Sequence, residues 1–483
     1  MKKIVLSILL GIVISSQIMV SQAQNWTRYT MQNSELGNSI LAMTSDNKND
    51  KWFGTELGMA RLKGKTWTDF SMFNDKLKGQ YVNCLTVDSR NVLWIGTDDY
   101  GVIEFDGSRW TEHKEQMKKL QMKFISKIAI DRNDVKWIGV TLGGLVRYDG
   151  RDWKKYTSTD SELLSDFILC VAIDRRNRKW IGTNDGLSVF DDNKWVSYTS
   201  HNSKLPHNIV PAVVIDKNDV KWLGTLGGLV KIEGDKWTIF NTANSALPND
   251  QVNDIAFDPS GALWIVTDNG VAIFDGADRW HVYTSKNTIL PASKHRRVMV
   301  DNQGGKWFGS ELKGLTRLNG HPVMGRIVDD NGKALKGITI TDGANTAVTD
   351  GDGYYYLEVA HGGNVTIKPT DEMRSFEPSE IKLQQVSQAK LRCDFVASSG
   401  MVAEGKSNEK VVVTPYLEEG YITISMESAV AEVEFVSPNG DSVRKLPQYR
   451  NGARITISKM PRMNYTLFIR TEKGEKKLLF NLK

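Results

Sequence analysis

Two series of tryptophans recur with a period of 41 to 43 residues. Trp52, Trp94, Trp137, Trp180, Trp222, Trp264 and Trp307 form one; Trp26, Trp67, Trp110, Trp153, Trp195, Trp237 and Trp280 form the other. Together they account for all fourteen tryptophans of the chain. An aspartate stands six residues before each member of the first series: Asp46, Asp88, Asp131, Asp174, Asp216, Asp258 and Asp301. Each unit reads roughly apolar-x-apolar-Asp, a turn, Lys-Trp-Ile-Gly-Thr, a short loop, Gly-Leu-x-x-aromatic-Asp-Gly, then Trp-x-x-Tyr. A fixed period of this length restricts the fold to solenoids, propellers or arrays.

Alternation decides among them. Ile128-Ala129-Ile130, Trp137-Ile138-Gly139 and Leu145-Val146-Arg147-Tyr148 are apolar or alternate with a period of two, as strands do. Asp131-Arg132-Asn133-Asp134 and Asp149-Gly150 are turn sequences. The pattern excludes helical repeats and predicts four short strands per unit, a propeller blade. Seven units predict an all-β chain whose domain 24–320 is a seven-bladed β-propeller. The phase is offset: the chain enters with an isolated Trp26-Thr27-Arg28-Tyr29 and leaves the repeat after Leu315-Thr316-Arg317-Leu318. Strand 26–30 is therefore expected to complete the seventh blade, closing the ring and removing a sheet edge. The tryptophans are expected to fill the wedge between sheets, and the glycine two residues on to let the next sheet approach. Val266 for Gly and His113 for Tyr read as repacking.

The combination Trp-x-x-Tyr, Asn-Ser-x-Leu-Pro (202–206, 244–248), Ile-x-Asp, Trp-Ile-Gly-Thr and Gly-Leu resembles the two-component regulator propeller repeat over residues 26–320. In Bacteroidetes-type bacteria such repeats commonly form the periplasmic sensor of hybrid kinases that detect glycans. Such sensors usually carry two propellers, a linking Tyr-rich domain, a membrane span and a kinase. This chain has one propeller and no span or kinase motif, so the resemblance implies the fold and a binding habit.

Residues 1–23 read as a signal peptide: Lys2 and Lys3, an apolar run from Ile4 to Ile14, then Ser21-Gln22-Ala23 before the cleavage site. The apolar run is too short for a membrane span. The chain is expected to be exported, to the periplasm, cell surface or medium. Lys+Arg 62 against Asp+Glu 57 gives a net charge of +5, too weak for a nucleic-acid partner. Cys84, Cys170 and Cys393 form no metal or disulfide framework.

After Gly320 the tryptophans stop. Segment 321–398, with Asp329-Asp330-Asn331-Gly332 and Asp350-Gly351-Asp352-Gly353 as turns, resembles the carboxypeptidase-regulatory-like, prealbumin-type β-sandwich. The Asp350 run lacks the further ligands of a calcium loop, and no metal or other cofactor is expected. Residues 399–410 read as a polar linker. Domain 411–483 reads as a second small β-sandwich, with strands at 421–426, 431–436, 454–457 and 465–470 and a basic-apolar tail from Lys476. It resembles the C-terminal sorting domain of type IX secretion substrates, which implies the secretion machinery as a partner. An Ig-like accessory domain is the alternative.

There is no Gly-x-Ser-x-Gly, phosphate loop or His-Glu-x-x-His. His201, His207 and His295 read as exposed loop residues. Asp98, Asp99, Asp185, Asp254 and Asp268 lie in loops that suit structural turns, though carboxylates in a propeller channel also suit glycan cleavage. The leading reading is a non-enzymatic binding or scaffold protein with a glycan or protein ligand; a polysaccharide lyase or hydrolase with its site in the channel is the alternative. Ligand contacts are sought where the repeats differ. The position four residues before each repeat Asp is Ala42, Cys84, Lys127, Cys170, Ala212, Asp254 and Arg297, varying from methyl to both signs of charge. Tyr81, Tyr100, Phe124 and Phe167 add aromatic surface. The expected ligand-binding residues are Tyr81, Tyr100, Lys127, Asp254, Arg296 and Arg297, with no catalytic residue.

Overall fold

The computed structural model describes residues 26–71, 77, 79–191, 194–291, 294–371, 374–398, 401–402, 404–405, 410–416 and 420–482. The signal peptide expected at 1–23 lies outside the described residues. The chain divides into two compact units, one running through His321 with Ser387–Ala389, the other comprising Pro322–Val386 and Lys390–Lys483.

The first unit contains seven four-stranded antiparallel sheets in chain order. Six are meanders, for example Ile125–Ile130, Lys136–Val140, Gly144–Tyr148 and Trp153–Tyr156. The seventh joins His295–Val300, Lys306–Ser310 and Leu315–Leu318 to Trp26–Tyr29, with Trp26 opposite Leu318 and Tyr29 opposite Leu315. The first strand of each sheet lies beside the first strand of the next, and that of the seventh beside that of the first. One short helix, Lys114–Lys119, interrupts the repeat in the loop between the second and third sheets.

The first tryptophan series is buried and wired. The repeat aspartate closes its own turn through Oδ1; Asp46 Oδ1 accepts the amides of Lys48 and Asp50 at 2.9 Å each. Its Oδ2 accepts the indole N–H at 2.8–3.2 Å in the pairs Trp52–Asp46, Trp94–Asp88, Trp137–Asp131, Trp180–Asp174 and Trp307–Asp301. In five of the seven sheets a lysine precedes this tryptophan and reaches the neighbouring sheet. Lys136 is 3% exposed, with Nζ 3.5 Å from Asp88 Oδ2 and 4.8 Å from the Trp94 ring centre. Lys221 repeats this against Asp174 at 3.7 Å and Trp180 at 5.2 Å, and Lys51 reaches Asp301 at 3.7 Å. A buried ammonium is tolerated because an opposite charge and a ring face meet it. The second tryptophan series, apart from the buried Trp26, is half-buried; members stack across strands, as Trp153 does on Tyr148 at 4.1 Å and Trp280 on Phe274 at 3.9 Å.

The Gly of Trp-x-Gly marks the closest approach of sheets. A Cβ on Gly182 would lie 2.2 Å from Val210 O, and one on Gly96 would lie 2.6 Å from Ile125 Cγ2. In the sixth sheet Val266 replaces this Gly, and the facing residue is His295 where other sheets place Ile or Val. His295 is not in an exposed loop. It is 1% exposed on an inner strand, and burial pushes its pKa down to about 4.

Strands drawn from residues 321–398 form two four-stranded sheets around one core that includes Ile327, Tyr355, Leu357, Ile367 and Phe395. The C-terminal segment forms a four- and a five-stranded sheet around a core with Val433, Phe435, Tyr465, Leu467 and Phe480. Two expectations change here. Within 399–410, Met401–Val402 and Glu404–Gly405 are short strands that pair with Val412–Val413 and Lys476–Lys477, so this stretch is more than a linker. The basic-apolar tail is strand Gly474–Asn481, paired along its length with Asn464–Thr471: alternation buries Leu478 partly and Phe480 fully, while Lys477 and Leu479 are exposed.

Candidate functional site

The seven positions chosen four residues before each repeat aspartate all line one cavity of about 150 Å³ among the inner strands. The strand geometry accounts for this. In six sheets the pairing of first and second strands slips by one residue just before that position, as between Ile125 and Lys127 or His295 and Arg297. A β-bulge re-aims the side chains around it. In the fifth sheet the corresponding residue is Pro211, and the inner strand begins at Ala212; proline suits a position without a ladder hydrogen bond.

Most of the ring also ties each sheet to the next. Cys84 Sγ accepts the Ile128 amide at 3.0 Å, and Asp254 Oδ2 accepts the Val298 amide at 3.1 Å, the equivalent bond four sheets further on. Cys170 Sγ donates to Val210 O at 3.4 Å. Arg297 Nε donates to Leu41 O at 2.7 Å, across the junction of the last and first sheets, and Nη1 to Arg296 O at 3.0 Å. Asp254 Oδ1 accepts the Ile255 amide at 3.0 Å. Burial raises the pKa of both thiols, that of Cys170 to about 12, although Lys127 and Arg297 pull the other way. The thiols are thus neutral. Lys127 is exposed and makes no hydrogen bond or ion pair among the described residues. The cavity therefore offers one unpaired ammonium and one guanidinium against one carboxylate whose oxygens both hold backbone amides.

Lys127, Asp254 and Arg297 are brought together; Tyr81, Tyr100 and Arg296 are not part of the cavity lining. Arg296 is the bulge residue. It points to the loops, with Nη2 2.8 Å from Glu311 Oε2 and Nη1 3.7 Å from Asp268 Oδ1. Tyr81 and Tyr100 sit in loops at the entry end of the inner strands, 51% and 43% exposed. Bulge residues Asn83 and Asn253 escaped the sequence reading. Each clamps the next loop of its own sheet, Asn83 to Asp98 and Asn253 Nδ2 to Asp268 Oδ1 at 2.8 Å. A polar residue breaking the apolar inner strand was the available signal. Asp185 and Asp268 hold loops together, Asp185 accepting Asn208 Nδ2 at 3.3 Å. His207 Nδ1 accepts the Ile209 amide at 3.0 Å. In the second unit, Asp350 Oδ1 accepts the amides of Asp352 and Tyr354 and so closes its own turn.

The family model of the two component regulator propeller matches residues 76–99 and 246–269, each covering an inner strand, its turn and the tryptophan strand. No curated protein matches the chain. Among solved structures, an extracellular domain described as that of a hybrid two-component system from B. thetaiotaomicron is 17% identical with a TM-score of 0.56, over 95% of this chain and 57% of that one. A second such extracellular domain from B. thetaiotaomicron is 14% identical with a TM-score of 0.52, over 94% and 72%. A catalytically inactive virginiamycin B lyase from Staphylococcus aureus with quinupristin is 14% identical with a TM-score of 0.50, over 60% and 98%. The chain spans a little over half the length of the first of these structures. At such identities the likeness shows the fold alone, an all-β chain carrying a propeller. Among the described residues no helix is long and apolar enough to cross a membrane.

Proposed function

We propose that this chain is an exported, non-enzymatic binding protein whose seven sheets are the blades of one closed propeller. Its ligand, a glycan or a protein, is held over the channel cavity by Lys127, Arg297 and the rim around them. One observation carries the reading. Where the repeats diverge, the divergent side chains meet in a single cavity, and the cation Lys127 has no partner there. Residues that serve only the fold repeat from sheet to sheet; this ring varies. Asp254 favours binding over hydrolysis, because both its oxygens are occupied by amides. The sheets of 321–398 and 411–483 suit two sandwiches that space or address the propeller, the second as a sorting or Ig-like domain. The resemblance to sensor repeats supports a receptor habit.

The test is to expose the full chain to a glycan array and to a periplasmic and surface extract, then analyse every retained glycan for cleavage. Retention without product is the expected result. A specific cleavage product would replace this reading with the lyase or hydrolase.

A further inference from the structure

A second surface stands apart from the channel cavity, on the loops of the second and third sheets. Tyr81, Tyr100, Phe124 and Leu142 are 51%, 43%, 45% and 74% exposed. Backbone bonds place them side by side: the Asp98 amide donates to Tyr81 O at 3.3 Å, the Phe124 amide to Asp98 O at 2.9 Å, and the Thr141 amide to Phe124 O at 2.9 Å. Phe124 and Leu142 have φ of +56° and +60°. Bulky residues are rare in this region, and here the loops hold their side chains outward. Contiguous exposed apolar surface of this kind marks an interaction site, and aromatic residues are enriched at the core of interfaces.

Two carboxylates lie within this surface. Asp99 is exposed and has no hydrogen bond or ion pair among the described residues. Asp98 is half-buried and accepts only from Asn83 Nδ2 among side chains. Its pKa is raised by burial and by the neighbouring Asp99, and an incoming cation would offset the repulsion between the two carboxylates. The charge is opposite to that of the channel cavity, where Lys127 and Arg297 dominate. We propose that this surface docks a partner polypeptide that presents a lysine or arginine flanked by apolar side chains. The cation pairs with Asp98 and Asp99 and lies against the tyrosine rings, while the flanking side chains cover Phe124 and Leu142.

The experiment is fluorescence anisotropy of the full chain with a labelled peptide alternating arginine and leucine, and with its citrulline and glutamate counterparts. The arginine peptide is expected to bind, and citrulline to weaken it by about tenfold. Asp98→Asn/Asp99→Asn and Tyr100→Ala should each weaken it by a similar factor, and more so at low salt, where surface charge is least screened. Because Asp98 also holds Asn83, the exposed single variant Asp99→Asn serves where the double variant melts early. Lys127→Glu/Arg297→Glu should leave this binding in place. Failure of the arginine peptide to bind, equal binding of the citrulline or glutamate peptide, or indifference to Asp99→Asn overturns the proposal.

Discussion

Truncating Trp26 to alanine should loosen the propeller at its closure. Trp26 is 5% exposed and packs edge-on to Tyr283 at 5.4 Å and against Phe308 at 6.0 Å. Three residues on, Tyr29 faces the other way, onto Trp67 at 5.2 Å and Trp307 at 5.9 Å. The strand thus joins the sixth, seventh and first sheets. Removing a buried Trp costs about 3–5 kcal/mol. The Trp26 indole N–H is buried without a partner, so losing it returns about 1 kcal/mol, leaving a net cost of about 3 kcal/mol. Tyr29→Ala should add about 2 kcal/mol through its two ring contacts. Urea unfolding followed by tryptophan fluorescence reports the propeller alone, because all fourteen tryptophans precede residue 308. Deleting 24–31 should lower the midpoint further, and a peptide of that sequence added in trans should restore part of the loss. A Trp26→Ala variant within about 0.5 kcal/mol of the parent would refute the reasoning.

Lys136→Met strips Asp88 of its buried inter-sheet cation and should cost about 3 kcal/mol in the same urea assay. Gly182→Ala drives a Cβ to 2.2 Å from Val210 O and should cost at least about 1–3 kcal/mol as overpacking, visible as a lowered Tm. Burial holds His295 at about 4 and His281 at about 3, below their ordinary 6.5. The unfolded chain therefore takes up protons near that value which the folded chain refuses. Stability is full above pH 6.5 and falls as pH drops toward 4, by about 2 kcal/mol for His295 alone near pH 5. His295→Val should flatten that part of the pH–stability curve.

The sheets were legible because their signals are local: alternation within six residues, a turn at Asp, and tryptophans at fixed phase. The channel positions were legible for the same reason, since counting from Asp46 or Asp301 places each residue at the same height on its inner strand. What the sequence concealed runs between sheets. Lys136 beside Trp137 has the composition of a surface residue, and it is buried where Asp134 and, some fifty residues earlier in the chain, Asp88 supply its counter-charges. His295 looks like loop beside Arg296, yet it fills the site that Ile40 and Val82 fill elsewhere and faces Val266 across the sheet junction. Arg296 and Arg297 are adjacent and basic; a bulge sends one into the loops toward Glu311 and the other into the cavity. Tyr81 and Tyr100 belong to a different surface from Lys127 because a loop residue's height above the strands is not encoded in repeat phase.

The central claim is that the ligand sits over the channel cavity, and calorimetric titration of Lys127→Glu/Arg297→Glu with the ligand retained on the parent chain tests it most directly. Arg297 also bonds Leu41 O, so Lys127→Glu alone, at an exposed residue, accompanies it as a control for folding. Binding abolished in the double variant and weakened in the single one, with the Tm of Lys127→Glu unchanged, is the predicted result. Affinity equal to that of the parent in both variants contradicts the account and moves the site away from the channel.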